Sequence, residues 1–135
     1  MSKYTEKAIE NHKKGMNCAQ AVACAFAEDM GVDENILFQM AEGFGAGMGG
    51  MEATCGAVSG AVLLTGIKCS SANVQNPVTK GTTYKMSREI IKQFQEKNES
   101  VICKALKGVE TGQVLRSCQG CIEDAAAIAE KVLGL

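Results

Sequence analysis

The chain has 135 residues, 46% hydrophobic and 21% charged, with a formal net charge of −1. That is ordinary globular composition, long enough for one domain to bury a core unaided. It lacks the basic stripe or aromatic platform of a nucleic-acid binder, with four Phe, two Tyr, no Trp and one short basic cluster, "NHKK" at 11–14. The polar start "MSKYTEKAIENHKK" has no apolar signal region, and the longest apolar run, "ATCGAVSGAVLLTGI" at 53–67, is short for a membrane span and broken by glycines. A cytoplasmic chain without a membrane or nucleic-acid partner is the expectation.

The period is helical nearly throughout. "YTEKAIENHKK" forms a first helix that stops at Gly15, and "NCAQAVACAFAEDM" forms a second, capped by Asn17 and ended by Gly31. Cys18, Ala21, Val22 and Ala25 share one face of it, while Cys24 points away. Asp33 caps a third helix, "ENILFQMAE", which runs into the glycine-rich "GFGAGMGG". A central helix over 53–67 carries a stripe of small residues, Ala53, Gly56, Ala57, Gly60 and Ala61, that lets another backbone come close. "KCSSANVQNP" is a polar loop. A long amphipathic helix follows, with Tyr84, Ile90, Ile91 and Phe94 on or near its buried face. Ser100 is a cap for the short helix "VICKALKG", "VETGQVLRS" is a loop, and the last helix, "CIEDAAAIAEKVL", has Cys121, Ala125, Ile128 and Val132 along one stripe. The reading is all-α: a single compact bundle of six to seven helices, one domain over 1–135.

Seven cysteines make up about 5% of the chain, below the ~8–10% of a disulfide scaffold. Their number is odd and the expected compartment is reducing, which favours thiol redox chemistry, metal binding or cluster binding over structural bridges. Cys24 and Cys69 read as small buried hydrophobes. Cys55 differs: it falls at the first turn of the central helix, where free N–H groups and the helix dipole stabilise a thiolate, and Gly56 leaves its sulfur approachable. Against this stands a buried cysteine chosen for size. Cys18, Cys103 and Cys121 each fall at the start or on the inner side of other helices. Four such thiols suit zinc or an iron–sulfur cluster, and two suffice for a reversible disulfide. Cys118 and Cys121 form a C-x-x-C pair, "CQGC", without the βαβ context of a thioredoxin.

Other motifs carry less. Gly45, Gly47 and Gly50 satisfy G-x-G-x-x-G, but they follow a helix in a chain without strands, so the dinucleotide reading fails. What remains is close approach of the main chain to a helix, a cluster or an anion. His12, the single histidine, reads as helix-end packing. Asp124 lies one turn after Cys121, either as an acid or base near its sulfur or as a solvated helix charge.

Taken together, "NCAQAV", the glycine-rich segment, "CGAVSG", a later C-x-x-L and a final cysteine before an Ala-rich helix resemble the C_GCAxxG_C_C family, which is grouped as redox-active by its cysteine pattern. The resemblance spans about Met16 to Val132, and its most specific element is Cys55-Gly56-Ala57-x-x-Gly60. It implies Cys18, Cys55, Cys103 and Cys121 as the functional set, with Cys118 the alternative to Cys121. Thr54 stands where the family name has a glycine. Three functions follow as expectations. The first is a thiol redox protein with Cys55 as the low-pKa thiol and an unidentified redox partner. The second is an electron-transfer or metal module with Cys18, Cys55, Cys103 and Cys121 as ligands. The third is a helical interaction protein with inert cysteines. A homodimer packed through the small-residue stripe is a further expectation.

Overall fold

Short polar side chains set where four of the helices begin. Ser2, Asn17, Asp33 and Ser117 each accept a hydrogen bond from a backbone N–H of the first turn, which would otherwise lack a partner. Asn17 does more: Gln20 returns a bond to the Asn17 N–H, completing a capping box. The computed structural model describes residues 1–135, which form helices α1 (Lys3–Lys13), α2 (Cys18–Cys24), α3 (Glu34–Ala41), α4 (Gly45–Met48), α5 (Gly56–Cys69), α6 (Lys80–Asn98), α7 (Cys103–Lys107) and α8 (Cys118–Leu133). There are no strands. α4 is one distorted turn, because Ala46 and Gly47 have left-handed φ of 52° and 58°. No helix is long and apolar enough to cross a membrane.

The core is built around α5. Val58, Ala61 and Leu64 from α5 meet Ala19 and Val22 from α2, Ile90 and Phe94 from α6, and Ile122, Ala126 and Ala129 from α8, all fully buried. α1 closes the other side of α2 and α8, and Tyr4 stacks on Phe26 with ring centroids 4.5 Å apart. The stripe of small residues on α5 faces α2: a Cβ on Gly60 would come within 2.5 Å of the Ala19 carbonyl oxygen, and one on Gly56 within 3.3 Å of the Ala19 nitrogen. The face read as a dimer surface is therefore occupied within one chain.

Several boundaries differ from the sequence reading. α2 stops at Cys24 rather than near Met30, because the next bonds, Phe26 N–H to Ala23 and Ala27 N–H to Cys24, tighten to i→i−3. That turn delivers both Phe26 and Ala27 to the core. α5 starts at Gly56, not Ala53, because Thr54 bridges to Ile102 and the backbone of 53–55 pairs with 101–103 instead of winding into helix. Ser100 does not cap α7 directly: its hydroxyl accepts from the Ile102 N–H and closes the turn before the helix. α8 begins at Cys118, so the whole C-x-x-C lies in its first turn. Tyr84 is exposed, whereas Ile90 and Phe94 are fully buried.

Candidate functional site

Five of the seven cysteines meet at one end of the bundle. Cys18 opens α2, Cys55 is the residue before α5, Cys103 opens α7, and Cys118 and Cys121 occupy the first turn of α8. All five line one cavity of about 160 Å³, together with His12, Asn17, Ala46, Gly56, Leu106, Lys107 and Arg116. Cys55, Cys103 and Cys121 are buried, whereas Cys18 and Cys118 are half-buried. Cys24 and Cys69 stay outside: Cys24 points its thiol at the Glu34 carbonyl, and Cys69 sits 3.8 Å from the Met86 sulfur.

A single antiparallel bridge, Thr54 with Ile102, carries two of these cysteines to the cavity. The Cys55 N–H donates to the Val101 carbonyl at 2.7 Å and the Cys103 N–H to the Ala53 carbonyl at 2.9 Å. The Lys104 N–H extends the pairing to Met51, and the Lys104 ammonium lies 2.9 Å from both Glu52 and Glu110. The glycine run presses on the same place. A Cβ on Gly47, whose φ is +58°, would fall 2.5 Å from the Cys103 Cβ, and one on Gly45 would strike the Asn17 side chain. The glycines thus let the main chain pack closely against the site.

The thiols differ sharply in acidity. A hydrogen bond from the Cys121 thiol lowers Cys55 to about 7, against burial and with help from the Ala57 and Val58 N–H groups and the Lys107 charge. The same bond holds the Cys121 proton, and burial adds to it, so Cys121 lies well above the ordinary thiol range. Its sulfur also lies 4.0 Å from the Arg116 carbonyl, a second acceptor for that proton. Burial pushes Cys18 up to about 12, reinforced by the neighbouring Cys118 and Cys55 thiols. Burial raises Cys103 as well.

Lys107 is the cavity cation that meets a sulfur. Its ammonium donates to the Cys118 sulfur, and that bond raises the lysine's own pKa above the usual value. The sequence reading missed it. The available signal was spacing: Lys107 lies four residues after Cys103 and so on the same side of α7. His12, read as helix-end packing, also reaches the cavity wall.

Asp124 is neither a solvated charge nor an acid at the sulfurs. It is 3% exposed and bound by Lys97 at 2.8 Å, Asn98 at 3.1 Å and Arg116 Nε at 3.0 Å. Burial opposes its ionisation, but these donors outweigh it and hold the carboxyl below the usual carboxylate range. Through these bonds it holds Arg116, which also lines the cavity. No three Cys, His, Asp or Glu side chains are gathered closely enough to hold a single metal ion.

Helices that bring thiols of unequal acidity into one small cavity define a cysteine-centred helical protein. The chain belongs to the family described as "Putative redox-active protein (C_GCAxxG_C_C)", whose model matches residues 16–132. Comparisons with curated proteins and with solved structures gave no match.

Proposed function

We propose that this redox-active protein works as a thiol–disulfide centre, with Cys55 as the attacking thiolate and Cys121 as the resolving thiol. The observation that carries the reading is the position of these two: both are buried on one cavity, Cys55 directly before the first turn of α5, and the neighbouring Cys121 thiol and helix N–H groups hold Cys55 below the ordinary thiol range. A thiol near 7 is substantially ionised at neutral pH yet keeps useful nucleophilicity, which is the optimum for exchange. Cys55 attacks one sulfur of a disulfide brought into the cavity, and that S–S bond breaks with one thiol released. Cys121 then loses its proton and attacks the Cys55 sulfur of the mixed disulfide, expelling the second thiol. Two protein thiols are oxidised to one disulfide and the incoming disulfide is reduced to two thiols; the reverse sequence reduces the protein again.

The neighbours serve this step. Lys107 stabilises negative charge across the cavity, and Arg116, held by Asp124, positions the backbone carbonyl next to Cys121. Such a centre belongs in a reducing compartment such as the cytoplasm, with a disulfide-bearing redox partner. The test is peptide mapping after mild oxidation of the reduced protein. A Cys55–Cys121 disulfide is expected, and its absence, with the other cysteines or none linked, would discard the reading.

A further inference from the structure

The C-x-x-C of α8 is divided between two sulfur pairs. Cys121 lies buried with Cys55 in the cavity, whereas Cys118, half-buried like Cys18 on the same cavity, receives the Lys107 ammonium. The two pairs also sit at different depths. Cys55 and Cys121 are 6% and 3% exposed, too buried to meet a disulfide carried by a large partner, while Cys18 and Cys118 are both half-buried at the same cavity. Cys118 and Cys121 are one turn apart on the same side of α8, so they are neighbours across the two pairs.

We infer that Cys18 and Cys118 form a second, outer dithiol, and that electrons pass between the external disulfide and the buried Cys55–Cys121 pair through it. The inference rests on the thiol–disulfide reading above and adds the route. Lys107 is placed to neutralise the charge on the Cys118 sulfur when it attacks and when it leaves. In the first stage the Cys118 sulfur, its proton given up to solvent, attacks one sulfur of a small or protein-borne disulfide and releases one thiol. Cys18 then attacks the Cys118 sulfur and releases the other, leaving a Cys18–Cys118 disulfide. Next, Cys121 attacks the Cys118 sulfur, which breaks the Cys18–Cys118 bond, forms Cys118–Cys121 and returns Cys18 to a thiol. Finally Cys55 attacks the Cys121 sulfur, which breaks Cys118–Cys121 and forms Cys55–Cys121, with Cys118 restored. The external disulfide has gained two electrons and two protons, the inner pair has lost them, and the outer pair is ready again. A second round of the first stage leaves both pairs oxidised.

The experiment uses the reduced full-length protein and 2-hydroxyethyl disulfide, with samples quenched in acid over time, alkylated and mapped by mass spectrometry. The expected order is a Cys18–Cys118 link first and a Cys55–Cys121 link later, with both present at excess oxidant. Cys118→Ser is expected to slow formation of the Cys55–Cys121 link by about tenfold or more, because a neutral hydroxyl cannot exchange. Lys107→Met, which leaves every sulfur in place, is expected to slow the outer link as well. Cys69→Ser, outside the cavity, keeps native rates. Circular dichroism of each variant verifies that its helix content is native. A Cys55–Cys121 link that forms at the native rate in Cys118→Ser overturns the relay alone. A native protein that never forms the Cys55–Cys121 link overturns the underlying reading and the relay with it.

Discussion

α5 carries a cysteine at each end, and the two have opposite circumstances. Cys55 precedes the first turn, where the Ala57 and Val58 N–H groups have no carbonyl partner and stabilise its charge. Cys69 is the last residue of the same helix, where the unpaired groups are carbonyls, and its sulfur finds only the Met86 thioether. Around Cys55 stand four more thiols and Lys107, on a cavity that Cys69 does not line. In the proposed centre the same side chain on the same helix is a reagent at one end and packing material at the other. The convergence of other helix starts, which brings Cys121 to Cys55, makes the larger difference, and helix polarity adds to it.

Serine substitution at the two ends gives the widest separation. Cys55→Ser removes the attacking sulfur, so the reduced variant loses the ability to form the inner disulfide altogether, as read by peptide mapping after mild oxidation. Cys69→Ser is expected to form it at the native rate. Equal behaviour of the two variants would mean that the helix start confers nothing on Cys55.

The next effect is on the acidity of Cys55, followed by the pH dependence of its alkylation with iodoacetamide. The thiolate is the reacting form, so the rate rises with pH through a midpoint near 7. Cys121→Ala removes the largest stabilising bond, and the midpoint is expected to climb toward the ordinary thiol value of 9.0. Stability moves in linked fashion. A folded-state value below the unfolded one gives Cys55 a contribution that is full above about 9 and lost as pH falls through about 7. Cys18, raised to about 12, contributes the opposite way: its part is full below about 9 and lost as pH rises through about 12. Alkylation isolates Cys55 from this opposition. An unchanged midpoint in Cys121→Ala would show that Cys121 does not set its charge.

The comparison of the two ends of α5 also shows what a sequence exposes. Asn17 and Asp33 act as the caps their positions announce, and Ile90 and Phe94 fall on the buried face that their spacing predicts. These are local signals, set within one turn of helix. The thiolate-favouring position of Cys55 was legible for the same reason. What could not be read depends on pairing distant segments. The Thr54–Ile102 bridge joins residues 48 apart with no alternating pattern, so neither the late start of α5 nor the meeting of Cys55 with Cys103 had a local trace. Asp124 looks like any helix carboxylate until Lys97, Asn98 and Arg116 arrive from outside its own turn. Likewise Tyr84 fits the amphipathic period of α6 but lies where no other element covers that face.

The smallest effects come from two glycines of α5, one toward each end. Gly60 faces α2, and a Cβ there would lie 2.5 Å from the Ala19 carbonyl oxygen, a backbone atom that can move only if α2 moves. Because the start of α2 carries Cys18, the displacement reaches the cavity. Gly60→Ala is expected to cost about 1–3 kcal/mol in urea unfolding, the usual range for overpacking. Gly66 sits one and a half turns further on with nothing within 4 Å of its would-be Cβ. There alanine meets no neighbour and restricts only the unfolded chain, so Gly66→Ala is expected to stabilise by about 0.5–1 kcal/mol. Opposite signs from the same substitution six residues apart would establish that the cysteine-bearing end of α5 is held by backbone contact with α2. Equal signs would mean that the α2–α5 contact yields easily, and that the cavity is built on a movable wall.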